Sequence, residues 1–370
     1  MKVFCSKDIL LSGVNTVQRA VSAKATLPIL QGIYLKAEGQ SLTFSATDLE
    51  IGIRCQIPAQ IDKEGGAVVP ARLFSELVRK LPDTTLTIEL LDNTLHIHYF
   101  QSSLTLKCFD QEEFPLLPDL LDSQSFSLPS NLFKNMVKQT VIACAVEESR
   151  PVFTGILLQV EGNQIRLVAT DTHRLAYRQA EFPNQEGLNF HGIIPAKTMS
   201  EISRLLKDED EFLNISYNNA QISFQFGNVH LLSRLIEGQF PPYNQVIPQN
   251  CETKVHLSMR SFLDAVERAS LLSREGNTGI TIVRLNIDKD TEILRIEQTS
   301  EVGKISEQIE INIEGNGLII AFNSKFLLDA LKIMDSEFIV LELSGSYGPC
   351  VIRPTNDPNY LYLALPVRTA

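Results

Sequence analysis

Pro28-Ile29-Leu30-Gln31-Gly32-Ile33, followed by Glu38-Gly39 and Ala46-Thr47-Asp48, is written a second time as Pro151-Val152-Phe153-Thr154-Gly155-Ile156, Glu161-Gly162 and Ala169-Thr170-Asp171. Every pair is offset by 123 residues without a gap. The match continues downstream: Val68-Val69-Pro70-Ala71-Arg72 answers to Ile193-Ile194-Pro195-Ala196-Lys197 at an offset of 125, and Phe114-Pro115 to Phe240-Pro241 at 126. A fainter third copy is in register. Ile319-Ile320-Ala321-Phe322-Asn323-Ser324-Lys325 stands where the first two copies have their Pro-Ala-basic segment, and Thr299 stands roughly where Thr47 and Thr170 do. So long a period is not that of a stacked solenoid unit, so each copy reads as a domain. The 370 residues then divide into 1–124, 125–250 and 251–370, with joints in the polar stretch 122–125 and just after Pro248.

Within each copy the apolar pattern changes period in the same order. An opening amphipathic helix is expected over 6–23, 129–145 and 259–272, where residues such as Phe262, Val266 and Ala269 recur at helical spacing. Two alternating strands follow, for example 156–160 and 164–169, divided by the turn Glu161-Gly162-Asn163. A second helix is expected over 72–81, 197–207 and 324–334, and a pair of strands closes the copy, as in 86–90 with 94–99. The class is α+β, with two helices packed on antiparallel sheets in each of three repeated domains.

Charge decides what such a chain meets. The balance of 33 Lys and Arg against 44 Asp and Glu gives −11, which at face value argues against phosphate partners. The average conceals a partition. Six helical windows (6–24, 71–80, 130–150, 196–207, 258–274 and 322–332) hold 17 basic and eight acidic residues, so they carry +9 and the remainder −20. Lys and Arg suit exposed helix faces in any protein, yet all six windows are net positive. Helices gathered on one surface would present a basic face to phosphates, and binding there would be electrostatic and independent of base sequence.

Several classes are disfavoured by what the chain lacks. The opening residues show no apolar signal segment, and no apolar run approaches the roughly 18 residues of a membrane helix. Six scattered cysteines without a C-x-x-C pair read as free thiols of a reducing, cytoplasmic compartment. No G-x-S-x-G and no Walker A run occurs, so neither acyl hydrolysis nor ATP hydrolysis is expected. Asp171-Thr172-His173-Arg174 resembles an acid–base cluster but has no accompanying nucleophile. His96 and His98 share a strand face without a third metal ligand nearby. No cofactor is expected, and no metal.

The residues Thr26-Leu27-Pro28-Ile29-Leu30, Val69-Pro70-Ala71-Arg72, Ala169-Thr170-Asp171-Thr172-His173-Arg174-Leu175, Gly238-Gln239-Phe240-Pro241-Pro242-Tyr243 and the closing Leu365-Pro366-Val367-Arg368 resemble the bacterial sliding clamp family, the β subunit of DNA polymerase III. The resemblance covers the whole chain. It implies a non-catalytic, head-to-tail homodimer whose six domains close into a ring around duplex DNA. Helices about 8–10 Å apart make that stoichiometry reasonable: twelve span a hole of roughly 35 Å, whereas six leave about half of that. Head-to-tail closure also pairs exposed sheet edges.

The resemblance further implies a pocket between the second and third domains. The replicative polymerase, the clamp loader and repair or translesion polymerases insert short peptides there. The matching positions are Phe153, Thr170, Thr172, His173, Arg174, Leu175, Pro241, Val246, Asn323, Phe326, Leu365, Pro366, Val367 and Arg368. Thr172 stands where Gly is common, and Gln245 where Arg is often found. Lys24 is the position at which the family places a DNA-contacting basic residue; Arg72, Arg79, Arg150 and Lys197 are further candidates from helix position and charge. For the subunit interface, Leu73, Leu77, Leu104 and Leu106 of the first domain are expected to meet Leu271 and Leu272 of the third. The competing reading is a repeat-built protein-interaction scaffold with no DNA role.

Overall fold

The computed structural model describes all residues except 23–26, 119, 121–122, 148, 183–187, 208–210, 273–280, 302 and 369–370. Each repeat opens with a strand that the helical pattern concealed: Lys2–Ser6, Gln124–Pro129 and Thr253–Ser258. The chain then enters helices α1 (Lys7–Val17), α3 (Ser130–Val141) and α5 (Met259–Leu271); the second helix of each copy is α2 (Ala71–Lys80), α4 (Ala196–Leu205) and α6 (Ser324–Leu331). In α1 the buried positions are Leu10, Gly13, Val14 and Val17, one face at three- and four-residue spacing. Gly13 is there because a Cβ would lie 2.6 Å from the Phe44 ring. The basic last turn of α2, Arg79 and Lys80, complements the helix dipole.

The helices are shorter than their apolar pattern suggests. After Val17 the first continues only as a 3-10 turn, Gln18–Ala20, and Val21 is extended. Pro129 closes an edge strand instead of opening α3, a position where a missing N–H costs no ladder bond. The strands are more numerous than expected. The missed ones pair with partners remote in sequence, such as Lys2 with Glu89, Gln124 with Tyr217 and Thr253 with Leu343, so no local turn signal marks them.

Contacts divide the chain into two compact units. The first comprises Met1–Phe133 with Glu201–Leu235. It holds a five-stranded sheet ending on the edge strand Ser102–Lys107, and an eight-stranded sheet in which Val229–Arg234 of the second repeat pairs with Ile51–Pro58 of the first. The second unit comprises Lys134–Ser200 with Ile236–Ala370. Its nine-stranded sheet joins Arg174–Glu181 of the second repeat to Tyr360–Ala364 of the third, and its four-stranded sheet ends on the edge strand Gly303–Glu310. Both of these pairings between repeats are antiparallel. The sheets therefore run through the repeat boundaries, and compactness divides the second repeat between the two units.

No helix among the described residues is long and apolar enough to cross a membrane. The six cysteines are free thiols. Burial pushes those of Cys5, Cys55 and Cys144 up, to about 12, 11 and 12.

Candidate functional site

In the second unit the strand Gln164–Thr170 turns into Arg174–Glu181 through Asp171-Thr172-His173. The turn is built by its own side chains. Thr170 Oγ1 donates to the carbonyl of Arg174 at 2.7 Å, and Asp171 Oδ1 accepts from the amides of His173 and Arg174, both at 3.0 Å. Thr172 is left with φ +78°, a left-handed conformation that glycine adopts without cost.

Arg174 begins the next strand with its side chain 7% exposed. Its Nε donates to Asp171 Oδ2 at 2.9 Å and its Nη1 to Asp329 Oδ2 on α6 at 2.6 Å. The guanidinium lies over the Phe326 ring, 4.6 Å from the centroid. Burial alone would lower the Arg174 pKa, but the adjoining Tyr362, Asp329 and Asp171 raise it, so the cation is held. The Tyr362 hydroxyl, buried beside it, is pushed up by desolvation.

Other expected residues gather here. The His173 ring stacks near Phe326, with centroids 6.5 Å apart and planes at 20°. The C-terminal segment is pinned on both sides: the Leu365 amide donates to the His173 carbonyl and the Val367 amide to that of Ala321, each at 2.8 Å. Asn323 caps α6, its side chain accepting from the Lys325 amide at 3.0 Å. Leu175 packs with Leu363, Phe240 and Tyr243 in an apolar cluster. Pro241 lies between those two aromatics on the connector. Phe153 and Val246 flank the cluster through their neighbours Val152 and Ile247, which pack on it. Pro366 is half-buried and Arg368 exposed. The result is an apolar and aromatic wall with a few fixed polar groups, the composition of a peptide-sized site.

Sequence reasoning missed Asp329 and Tyr362. Asp329 follows Phe326 by three residues on α6, which places both on one face, but a lone helix carboxylate ordinarily reads as solvated. Tyr362 alternates with Tyr360 and Ala364 on the strand opposite Arg174.

The expected DNA-contacting residues are distributed differently. Lys24 lies outside the described residues. Arg72, Arg79, Arg150 and Lys197 are exposed. Arg72 is bonded to Glu76 at 3.2 Å. Among the described residues, the six α-helices carry 11 Lys and Arg against six Asp and Glu, a surplus of five and not nine. The difference lies in residues that flank the helices in sequence, because the helices end earlier than the pattern. Around α5 and α6 the positive charge is compensated by Arg260–Asp264, Arg268–Glu307 and Lys332–Glu267. Arg79, Lys80 and Lys138 carry no ion pair among the described residues.

Of the expected interface leucines, Leu73 and Leu271 are 47% and 55% exposed. Leu77, Leu104 and Leu272 are half-buried. Leu106 is buried in its own sheet, so it supports that surface from beneath.

Three copies of one helix-and-strand unit, with sheets running from copy to copy, define the class of protein: a DNA clamp. Family models for the DNA polymerase III beta subunit match throughout, the N-terminal domain at residues 1–118, the central domain at 127–242 and the C-terminal domain at 244–368. The chain belongs to the DNA polymerase III beta subunit family, the beta sliding clamps. It is 37% identical over 380 residues to the beta sliding clamp of Bacillus subtilis, with all of both chains covered. The crystal structure of the Bacillus subtilis DNA polymerase sliding clamp superimposes with a TM-score of 0.95 at 36% identity, covering 100% of each chain. A Pseudomonas aeruginosa sliding clamp bound to griselimycin gives 0.93 at 27% identity over the same coverage.

Proposed function

We propose that this chain is the non-catalytic processivity clamp of DNA replication. Two copies close head to tail around duplex DNA, slide on it, and tether the replicative polymerase, the clamp loader and repair or translesion polymerases. Full-length membership of the beta sliding clamp family carries the reading and sets aside the scaffold without DNA. The free edge strands Ser102–Lys107 and Gly303–Glu310 supply what closure needs, since unpaired strand edges are templates for pairing. Leu73 and Leu271, both exposed, are the apolar contacts this reading expects between copies. Each copy divides at 1–124, 125–250 and 251–370, and the ring works in the cytoplasm, where its free thiols stay reduced.

In this reading Arg72, Arg79, Arg150, Lys197 and Lys24 attract phosphates without reading bases. The acidic remainder of the surface discourages binding outside the ring. Peptides dock on the wall formed by His173, Leu175, Phe326 and Leu365, with Arg174 behind it. The decisive experiment loads the protein onto DNA with a clamp loader and ATP, then compares retention on closed circular and linearised duplex. A clamp stays on the circle and slides off the linear form; equal retention overturns the reading.

A further inference from the structure

The Arg174 guanidinium sits directly behind the aromatic wall, yet it presents little charge to it. Its Nε is taken by Asp171 at 2.9 Å and its Nη1 by Asp329 at 2.6 Å, while its face is covered by Phe326. Two carboxylates against one guanidinium leave the cluster net negative. Asp329 is its outer member: the carboxylate is 28% exposed, where Arg174 is 7% and Asp171 14% exposed. Asp171 is also committed to the turn through two backbone amides. Asp329 caps no helix and holds no turn among the described residues; its bonded partner is Nη1 of Arg174.

We propose that Asp329 sets the charge preference of the docking site. By occupying Nη1 of Arg174 it hides the cation, so that Phe326 and His173 accept apolar or aromatic side chains and acidic ones are turned away. The inference rests on the reading of this wall as the peptide-docking site. A docked carboxylate beside Phe326 meets an arginine whose Nε and Nη1 are already bonded, and a like charge nearby. Such a contact at a partly buried site weakens binding by about tenfold or more. Without Asp329, the same guanidinium becomes a vacant charged donor that an acidic side chain can take over.

The test pans a hexapeptide phage library on the full-length protein, then replaces each position of the tightest selected peptide with Glu in turn. On the unaltered protein one position should reject Glu by about tenfold more than the others. On Asp329→Asn that position should recover, and a fresh selection should become rich in Asp or Glu there. Asp329→Glu, which keeps the charge, should retain the original profile. A uniform loss at every position in Asp329→Asn makes the pair merely structural and overturns the inference. So does an unchanged Glu profile, or a Glu scan on the unaltered protein with no intolerant position. A separate variant with Val246→Arg and Leu365→Arg, both exposed in the folded chain, tests the site itself. If the selected peptides still bind it, the docking-site reading fails, whatever Asp329 does.

Discussion

At Thr47–Ile51 and again at Thr170–Arg174 the chain makes one turn in two places. Thr47 Oγ1 donates to the Ile51 carbonyl at 2.9 Å, as Thr170 Oγ1 does to that of Arg174 at 2.7 Å. Asp48 Oδ1 accepts from the amides of Glu50 and Ile51 at 3.0 and 2.9 Å, matching Asp171. Leu49 and Thr172 share a φ of +78°. The strand that follows pairs in each case with the last strand of the next repeat. The side chains it carries are opposed. Ile51, Ile53 and Cys55 face Ser233, Leu231 and Val229 in a largely apolar junction. Arg174, Ala176 and Arg178 face Tyr362 and Tyr360, with Arg178 paired to Asp357.

The outer side differs as well. Gly52 stands where the second turn has Leu175, and Leu117 of the connector lies so close that a Cβ on Gly52 would come within 2.2 Å of it. The first junction therefore closes over itself with a residue of its own connector, while the second puts Leu175 into an apolar cluster with Leu363, Phe240 and Tyr243. The two copies share the turn and differ in the side chains built on it. Even the carboxylate is redeployed. Glu201 begins the second turn of α4 as Asp329 does that of α6, yet it is held by Arg19 and Arg204 at 2.9 and 2.7 Å.

Exchanging the two payloads is the strongest way to break the comparison. Ile51→Arg buries a guanidinium among aliphatic side chains, with Glu201 already engaged. It should cost about 4 kcal/mol or more and yield a chain that unfolds at markedly lower urea. Arg174→Ile leaves Asp329 without its cation and Asp171 half-satisfied; because Asp329 is partly solvated, about 2–3 kcal/mol is expected. If both substitutions cost the same, the junctions do not differ in the way the side chains indicate.

A finer exchange removes the turn's own carboxylates. Asp48→Ala deletes hydrogen bonds to two amides and should cost about 1 kcal/mol. Asp171→Ala deletes the same bonds and also frees Arg174 Nε, so about 2 kcal/mol is expected. Thermal melts of the two variants measure the difference, and equal losses would remove Arg174–Asp171 from the account of the site.

These same residues mark what could be read before the fold was known. The repeated Ala-Thr-Asp was visible in the sequence but the turn it builds was not; its hydrogen bonds are local, which is why both copies keep the residue types at fixed spacing. Leu175 and the closing Leu-Pro-Val segment were legible only through resemblance, since nothing local says that Leu365 returns to the His173 carbonyl. Strand order was hidden for that reason: Lys2 pairs with Glu89, and Arg174 with Ala364, across most of a repeat or more. The helix ends were overrun because apolar spacing continues into turns such as Gln18–Ala20. That overrun also credited the helices with charges that belong to their flanks. Leu106 shows the remaining limit, because alternation on an edge strand does not say which face another element covers.

The smallest expected effect tests the identity of the two turns most directly. A non-glycine residue at φ +78° carries a steric cost of about 1 kcal/mol or somewhat more, and both Leu49 and Thr172 carry it. Both side chains are exposed, so glycine deletes little packing. The Thr172 amide bond to Thr170 Oγ1 at 3.2 Å and the Leu49 amide bond to Thr47 Oγ1 at 3.0 Å belong to the backbone and survive. Glycine also enlarges the unfolded ensemble, which takes back part of the gain. Leu49→Gly and Thr172→Gly should therefore each stabilise by about 0.5 kcal/mol, a rise of roughly 1–2 °C in Tm, and should do so equally. A gain at Leu49 with a loss at Thr172 would mean that the Thr172 side chain has a role in the second turn that its counterpart lacks.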